Sequence, residues 1–259
     1  MCRPNSSNEF ANGQRTLLDS DGALKMPTAV LSDDPYHADV TVDAELARTR
    51  ASYDATADLY AQSIGTEISE SIEAALDRSL LEYVASLFSR GGRVGDLGCG
   101  PGRVGAFLAA RGVEVVGIDL SIRMLEVGRQ AHPYLCFAVG DVAALPVADH
   151  SLDGAVCWYS IIHTAPDHLG RVFDELARVL VPGGYLLLAF QAGNGEGLHR
   201  TDVRGTPVAH TNYVHDPDDV IRRLTTAGFL VGSSIVRDPE LAHESSAQAF
   251  VEARLRSPI

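Results

Sequence analysis

Between residues 93 and 191 short apolar runs alternate with helical runs, and no other feature of the chain restricts its fold so strongly. The patterns predict strands over 93–97, 114–120 and 135–140, separated by helices over 103–111 and 122–131. A fourth strand is expected over 151–162. The helix after it carries Leu169, Val172, Phe173, Leu176, Val179 and Leu180 on one face, and Pro182-Gly183-Gly184 is expected to stop it before a fifth strand over 185–191. Each strand–helix unit repeats after about 20 residues, which predicts an α/β fold with a mostly parallel sheet covered on both faces. In such folds ligands sit beyond the carboxyl ends of the strands, where the strand order reverses. The turn after the first strand, residues 98–102, falls there.

The flanks complete the pattern. One helical periodicity runs through Leu46, Thr49, Tyr53, Ala57 and Tyr60, and a second from Ile68 to Leu87, so two helices precede the sheet. Asp216-Pro217 supplies a cap and a first-turn proline for a helix that Gly228 ends, and two closing strands are expected over 229–236 and 245–253. Residues 1–42 lack periodicity and mix Asn, Ser, Asp and Pro, which predicts a flexible leader. Residues 43–259 then form a single domain, with its first helices, about 43–90, as a lid.

Composition narrows the chemistry. A formal charge of −13 with no basic stripe argues against nucleic-acid partners. No apolar run approaches the roughly 20 residues of a membrane helix, and the first 30 residues lack a secretory pattern, so a cytoplasmic protein is expected. Of the 21 basic residues only Lys25 is lysine, which excludes a P-loop lysine, a Schiff-base lysine and a Tyr-x-x-x-Lys pair in the body of the chain. The cysteines form no C-x-x-C pair, and the spacings of His199, His210 and His215 match no zinc pattern, so no metal site is expected.

The glycines of Asp96-Leu97-Gly98-Cys99-Gly100-Pro101-Gly102 let the chain turn tightly and admit a ligand at a helix N-terminus. Gly100 to Gly105 also fits the dinucleotide fingerprint G-x-G-x-x-G, with Asp119 at a suitable distance, so a nicotinamide-dependent oxidoreductase stays open on these residues. Asp96 separates the two readings: a carboxylate before the glycines repels a pyrophosphate and suits an ammonium. Its bland role is to accept backbone N–H bonds within the loop. Asp119, ending the second strand, is placed to accept both hydroxyls of a ribose, or else to cap the helix near Ile122. Asp141, ending the third, is placed to meet an adenine amino group while the Val142 N–H meets a ring nitrogen.

Taken together these residues resemble the class I S-adenosylmethionine-dependent methyltransferases of the small-molecule branch, across roughly residues 48–255. Residues 96–102 look like that family's first motif, Ile118-Asp119-Leu120-Ser121 with Met124 like its second, Gly140-Asp141-Val142 like its third, and residues 180–185 like the segment opening the fifth strand. The resemblance implies a Rossmann-like three-layer sandwich with a seven-stranded sheet of order 3-2-1-4-5-7-6, the last strand antiparallel. It implies S-adenosyl-L-methionine as cofactor, with S-adenosyl-L-homocysteine as product. Its binding residues are then Tyr53, Tyr60, Asp96, Gly98, Cys99, Gly100, Gly102, Asp119, Leu120, Met124, Asp141, Val142 and Tyr159. Tyr53 and Tyr60 are expected to close over the cofactor, or else to serve as core. Trp158 to His163 ends the fourth strand, where acceptor-facing groups are expected, and His163 with Tyr159 are the candidate catalytic residues. Residues 191–215 are expected to build the pocket of a small-molecule acceptor, in a monomer or homodimer. A non-catalytic nucleoside-binding protein on the same fold is the other reading.

Overall fold

A computed structural model describes residues 40–88 and 91–257 of the chain, with side chains from Ala44 onward. The expected leader lies outside the described residues except for its last three positions, which begin helix α1 (Val40–Ile64). After α2 (Ala75–Phe88) come β1 (Arg93–Leu97), α3 (Arg103–Ala109), β2 (Glu114–Asp119), α4 (Ile122–Ala131), β3 (Cys136–Val139) and β4 (Leu152–Trp158). Two short 3₁₀ turns, Ile161–His163 and Pro166–His168, lead into α5 (Leu169–Val179) and β5 (Leu180–Gln191). The chain ends with β6 (Gly197–Val203), β7 (Thr206–Tyr213), α6 (Pro217–Thr226), β8 (Phe229–Arg237) and β9 (Gln248–Leu255).

Seven strands form one sheet of order β3-β2-β1-β4-β5-β9-β8, while β6 and β7 pair separately. β1 to β5 are parallel, and β9 runs antiparallel to both neighbours. With the hairpin set apart, this is the expected order 3-2-1-4-5-7-6. Alternate side chains of the central strands feed two cores. Leu97, Ile118, Cys157, Leu186 and Leu188 pack under α5 and α6, whereas Val94, Val115, Val156 and Leu187 pack under α2 and α3. The strand order reverses between β1 and β4, so the clefts above their carboxyl ends face one opening. Among the described residues no helix is long and apolar enough to cross a membrane.

Four expectations are corrected. The second helix starts at Ala75, not Ile68, because Glu73 accepts the Ser69 N–H and Asp77 accepts the Ala74 N–H, so two carboxylates hold a turn ahead of the helix. The fourth strand stops at Trp158, where Tyr159 takes φ 58°. β5 begins at Leu180 and absorbs Pro182-Gly183-Gly184 as an irregularity, pairing Leu152 with Leu180 and then Gly154 with Tyr185. Residues 197–213, expected as pocket loop, are a hairpin whose two turn residues, Arg204 and Gly205, both have positive φ (52° and 86°), the geometry that matches strand twist.

Ser121 caps α4 by accepting the Met124 N–H and donates its own hydroxyl to Asp54 of α1 at 2.6 Å. Ser121→Ala removes both bonds, and urea unfolding is expected to show a loss of about 1–2 kcal/mol.

Candidate active site

A cavity of about 470 Å³ opens above the carboxyl ends of β1, β2 and β4 and continues under α1. Its floor is acidic. Asp96 is 1% exposed and accepts the Gly105 N–H at 2.8 Å. Burial, partly offset by that bond and reinforced by Asp119, pushes its carboxyl up to about 7. Asp119 accepts the Gly100 N–H through Oδ2 at 2.7 Å and the Ser121 N–H through Oδ1 at 2.8 Å. Burial raises its pKa too, against those two bonds. Helix α4 is therefore capped by Ser121, and Asp119 instead ties the glycine turn to β2. Asp141 accepts the Ala143 N–H and lines the same cavity with Leu120, Met124, Cys99 and Val142.

The backbone donors of the turn are already engaged. Gly98 and Cys99 N–H donate to the Ile118 carbonyl, Gly102 N–H to Cys99, Gly100 N–H to Asp119 and Gly105 N–H to Asp96. A pyrophosphate needs such N–H groups free and no carboxylate among them. This turn offers acceptors instead, each carboxylate oxygen keeping a second lone pair. The site fits a ligand with an ammonium and vicinal hydroxyls, and does not fit a dinucleotide.

The three glycines differ in purpose. A Cβ on Gly98 would stand 2.2 Å from the Ser160 Cβ, and one on Gly102 2.7 Å from the Phe137 ring. Gly102 makes room inside the protein and is not a lining residue. At Gly100 a Cβ would meet nothing within 4 Å, so this backbone faces open cavity.

The other end is built by α1, β7 and the turn after β4. Tyr53 Oη lies 2.7 Å from His163 Nε2, and His163 Nδ1 lies 3.2 Å from the Thr211 carbonyl. The carbonyl can only accept, so Nδ1 carries the proton and Nε2 receives the Tyr53 hydroxyl. Burial depresses the His163 pKa to about 4, keeping it neutral. Tyr60 sets its ring edge-on to Tyr53 at 6.4 Å, and burial raises both phenols. Tyr159 lines the cavity from a left-handed backbone that few aromatic residues adopt, and this turns the chain so that Ser160 and His163 also reach the cavity.

Several participants escaped the sequence reading. Glu73 and Arg103 form a buried ion pair at the cavity wall, and Arg103 also donates to the Glu67 carbonyl. Asp54 accepts from Ser121 Oγ and the Arg123 N–H, docking α1 on α4. His210 stacks on Tyr53 at 5.6 Å. His199 is exposed on β6, whereas His215 is buried and bonds the Ile161 carbonyl. Among the described residues no three His, Cys, Asp or Glu side chains gather to hold a metal ion.

Comparison with known proteins agrees with this fold. The sequence model of a family described as "Methyltransferase domain" matches residues 94–184. A malonyl-(acyl-carrier protein) O-methyltransferase from Erwinia billingiae is 35% identical over 137 residues, 52% of this chain and 53% of the relative, so the chain spans about half the length of that curated relative. Among solved structures, DhpI in its SAH complex superposes with a TM-score of 0.65 at 18% identity, covering 83% of this chain and 99% of that one. The cyclase SpnF gives 0.62 at 18% identity over 82% and 97%.

Proposed function

We propose that this chain, which carries a methyltransferase domain over residues 94–184 on the class I S-adenosylmethionine-dependent methyltransferase fold, moves a methyl group from S-adenosylmethionine to an O, N or C atom of a small molecule. The observation that carries this reading is one continuous cavity joining an acceptor-rich floor at Asp96, Asp119 and Asp141 to a second compartment at Tyr53, Tyr159 and His163. Open space beside the cofactor compartment supports catalysis over nucleoside binding alone. The likeness to SpnF is one of fold alone.

Asp96 would hold the ammonium of the methionine moiety, Asp119 the ribose hydroxyls, and Asp141 with the Val142 N–H the adenine edge. The bound cofactor supplies a sulfonium methyl that is already activated. What the protein adds is alignment and exclusion of water, worth on the order of 7–11 kcal/mol for a well-oriented pair. Tyr53 and Tyr60 on α1 cover the cavity and exclude water. His163, neutral at rest, orients the Tyr53 hydroxyl, so a proton released by the acceptor has a path through Tyr53 Oη to His163 Nε2. The acidic surface and the size of the cavity support a small-molecule partner rather than nucleic acid. A cytoplasmic monomer or homodimer, with residues 43–259 as one domain, belongs to the same reading.

Calorimetry with S-adenosylhomocysteine and with NADH tests the assignment. The expected result is a Kd on the order of micromolar for the first and no heat for the second; the reverse overturns it. The pH dependence has a definite sign. Below its pKa Asp96 is protonated and must lose its proton to face an ammonium. Affinity for S-adenosylhomocysteine therefore rises with pH up to about 7, by at most about tenfold per unit, and levels off above. In Asp96→Asn the part of the rise that Asp96 contributes near pH 7 is lost and the affinity is low throughout.

A further inference from the structure

The hairpin β6–β7 stands between β5 and α6, and its inner strand turns one face toward α1 and the cavity. Along β7 the residues that share this face are Val208, His210 and Asn212. Thr211, on the other face, holds His163 through its carbonyl. Asn212 lines the cavity, yet its Oδ1 is buried with no hydrogen-bond partner. Two positions back, His210 Nδ1 is also buried without a partner, beneath the stacked Tyr53 ring. Unpaired buried polar atoms are costly and uncommon in folded proteins, and one carried by a residue that lines an open cavity, as Asn212 does, marks a surface completed by a ligand.

The geometry points to Asn212 as the residue that selects the methyl acceptor. Its side-chain carbonyl receives a hydrogen bond from an O–H or N–H of an acceptor whose apolar, aromatic body packs against Tyr53, Trp158 and Tyr159. This assignment rests on the methyl-transfer reading only in naming the molecule an acceptor. A site built to bond such a hydrogen rejects an analogue lacking it, because the Asn212 oxygen is then left dry and unpaired. Sequence reading passes over Asn212, since an asparagine in a polar stretch reads as a turn residue.

Paired probes test the assignment on the full chain saturated with S-adenosylhomocysteine: phenol against anisole, and aniline against N,N-dimethylaniline, by ligand-observed NMR titration. Wild type is expected to bind phenol and aniline on the order of 10- to 100-fold more tightly than their alkylated partners. Asn212→Leu, close in size but apolar, removes that preference, whereas Asn212→Asp, which keeps an acceptor oxygen, retains it. The side-chain amide resonances of Asn212 shift with phenol and not with anisole, a readout that needs no variant to fold. Equal binding of both partners by wild type, or a preference that survives in Asn212→Leu, overturns the proposal. Failure of wild type to bind S-adenosylhomocysteine would instead remove the methyl-transfer reading, and the probe titrations repeated without it would still decide the role of Asn212.

Discussion

Asp119→Ala is expected to weaken S-adenosylhomocysteine binding by about 10²–10³-fold while leaving the far-ultraviolet circular dichroism intact. The carboxylate does two jobs at once. Its oxygens hold the Gly100 and Ser121 N–H groups, which sets the shape of the glycine turn, and their remaining lone pairs are available to a ligand in the cavity that Asp119 lines. Alanine removes the ligand contacts and leaves the Gly100 N–H without its acceptor. Each charge-assisted bond is worth about 1.5–3 kcal/mol, so two ligand bonds lost at the lower end of that range, about 3–4 kcal/mol together, account for the predicted effect. Unchanged affinity in calorimetry would mean that Asp119 serves the turn alone.

Gly98→Ala is expected to cost at least about 2 kcal/mol of stability and to abolish cofactor binding. Two independent causes act. The residue has φ 74°, which an L side chain adopts only with strain, and its Cβ would lie 2.2 Å from that of Ser160. Ser160 follows the strained Tyr159, so relief requires moving the very segment that carries both catalytic candidates. Gly100→Ala is the informative control: at φ 53° with no neighbour within 4 Å, it bears backbone strain alone, about 1 kcal/mol. Thermal unfolding of the two variants side by side separates a glycine needed for packing from one needed for ligand approach.

The sheet was legible because buried parallel strands and amphipathic helices leave opposite periodicities, and because Asp96, Asp119 and Asp141 punctuate successive strands at their carboxyl ends. Where the reading failed, the cause lay in contacts between distant segments. Nothing in residues 68–77 announces that Glu73 and Asp77 will turn inward to hold the turn ahead of a helix, since exposed carboxylates on a helix face look the same. The hairpin was hidden because β6 is exposed almost throughout and shows no alternation, and because Arg-Gly is a weak turn signature compared with Asn-Gly. Tyr159 gave no warning of its left-handed backbone, which a glycine or asparagine would have signalled. His163 drew attention as a lone histidine, but the Tyr53 hydroxyl on its Nε2 belongs to a helix 110 residues earlier and follows from the packing of α1.

The hairpin leaves and rejoins the body at nearly one point: Ala192 bridges to His215, and His215 N–H returns to the Gln191 carbonyl. A segment with adjoining ends can be lengthened, shortened or exchanged without disturbing the sheet that bears it. In this chain the acids proposed to hold a nucleoside lie at the carboxyl ends of the sheet strands, whereas His210 and Asn212 lie on the hairpin. The two parts can therefore diverge in evolution: on the proposed roles, substitutions within residues 193–214 retune what is accepted, while the acids, fixed at the ends of the sheet strands, keep their places.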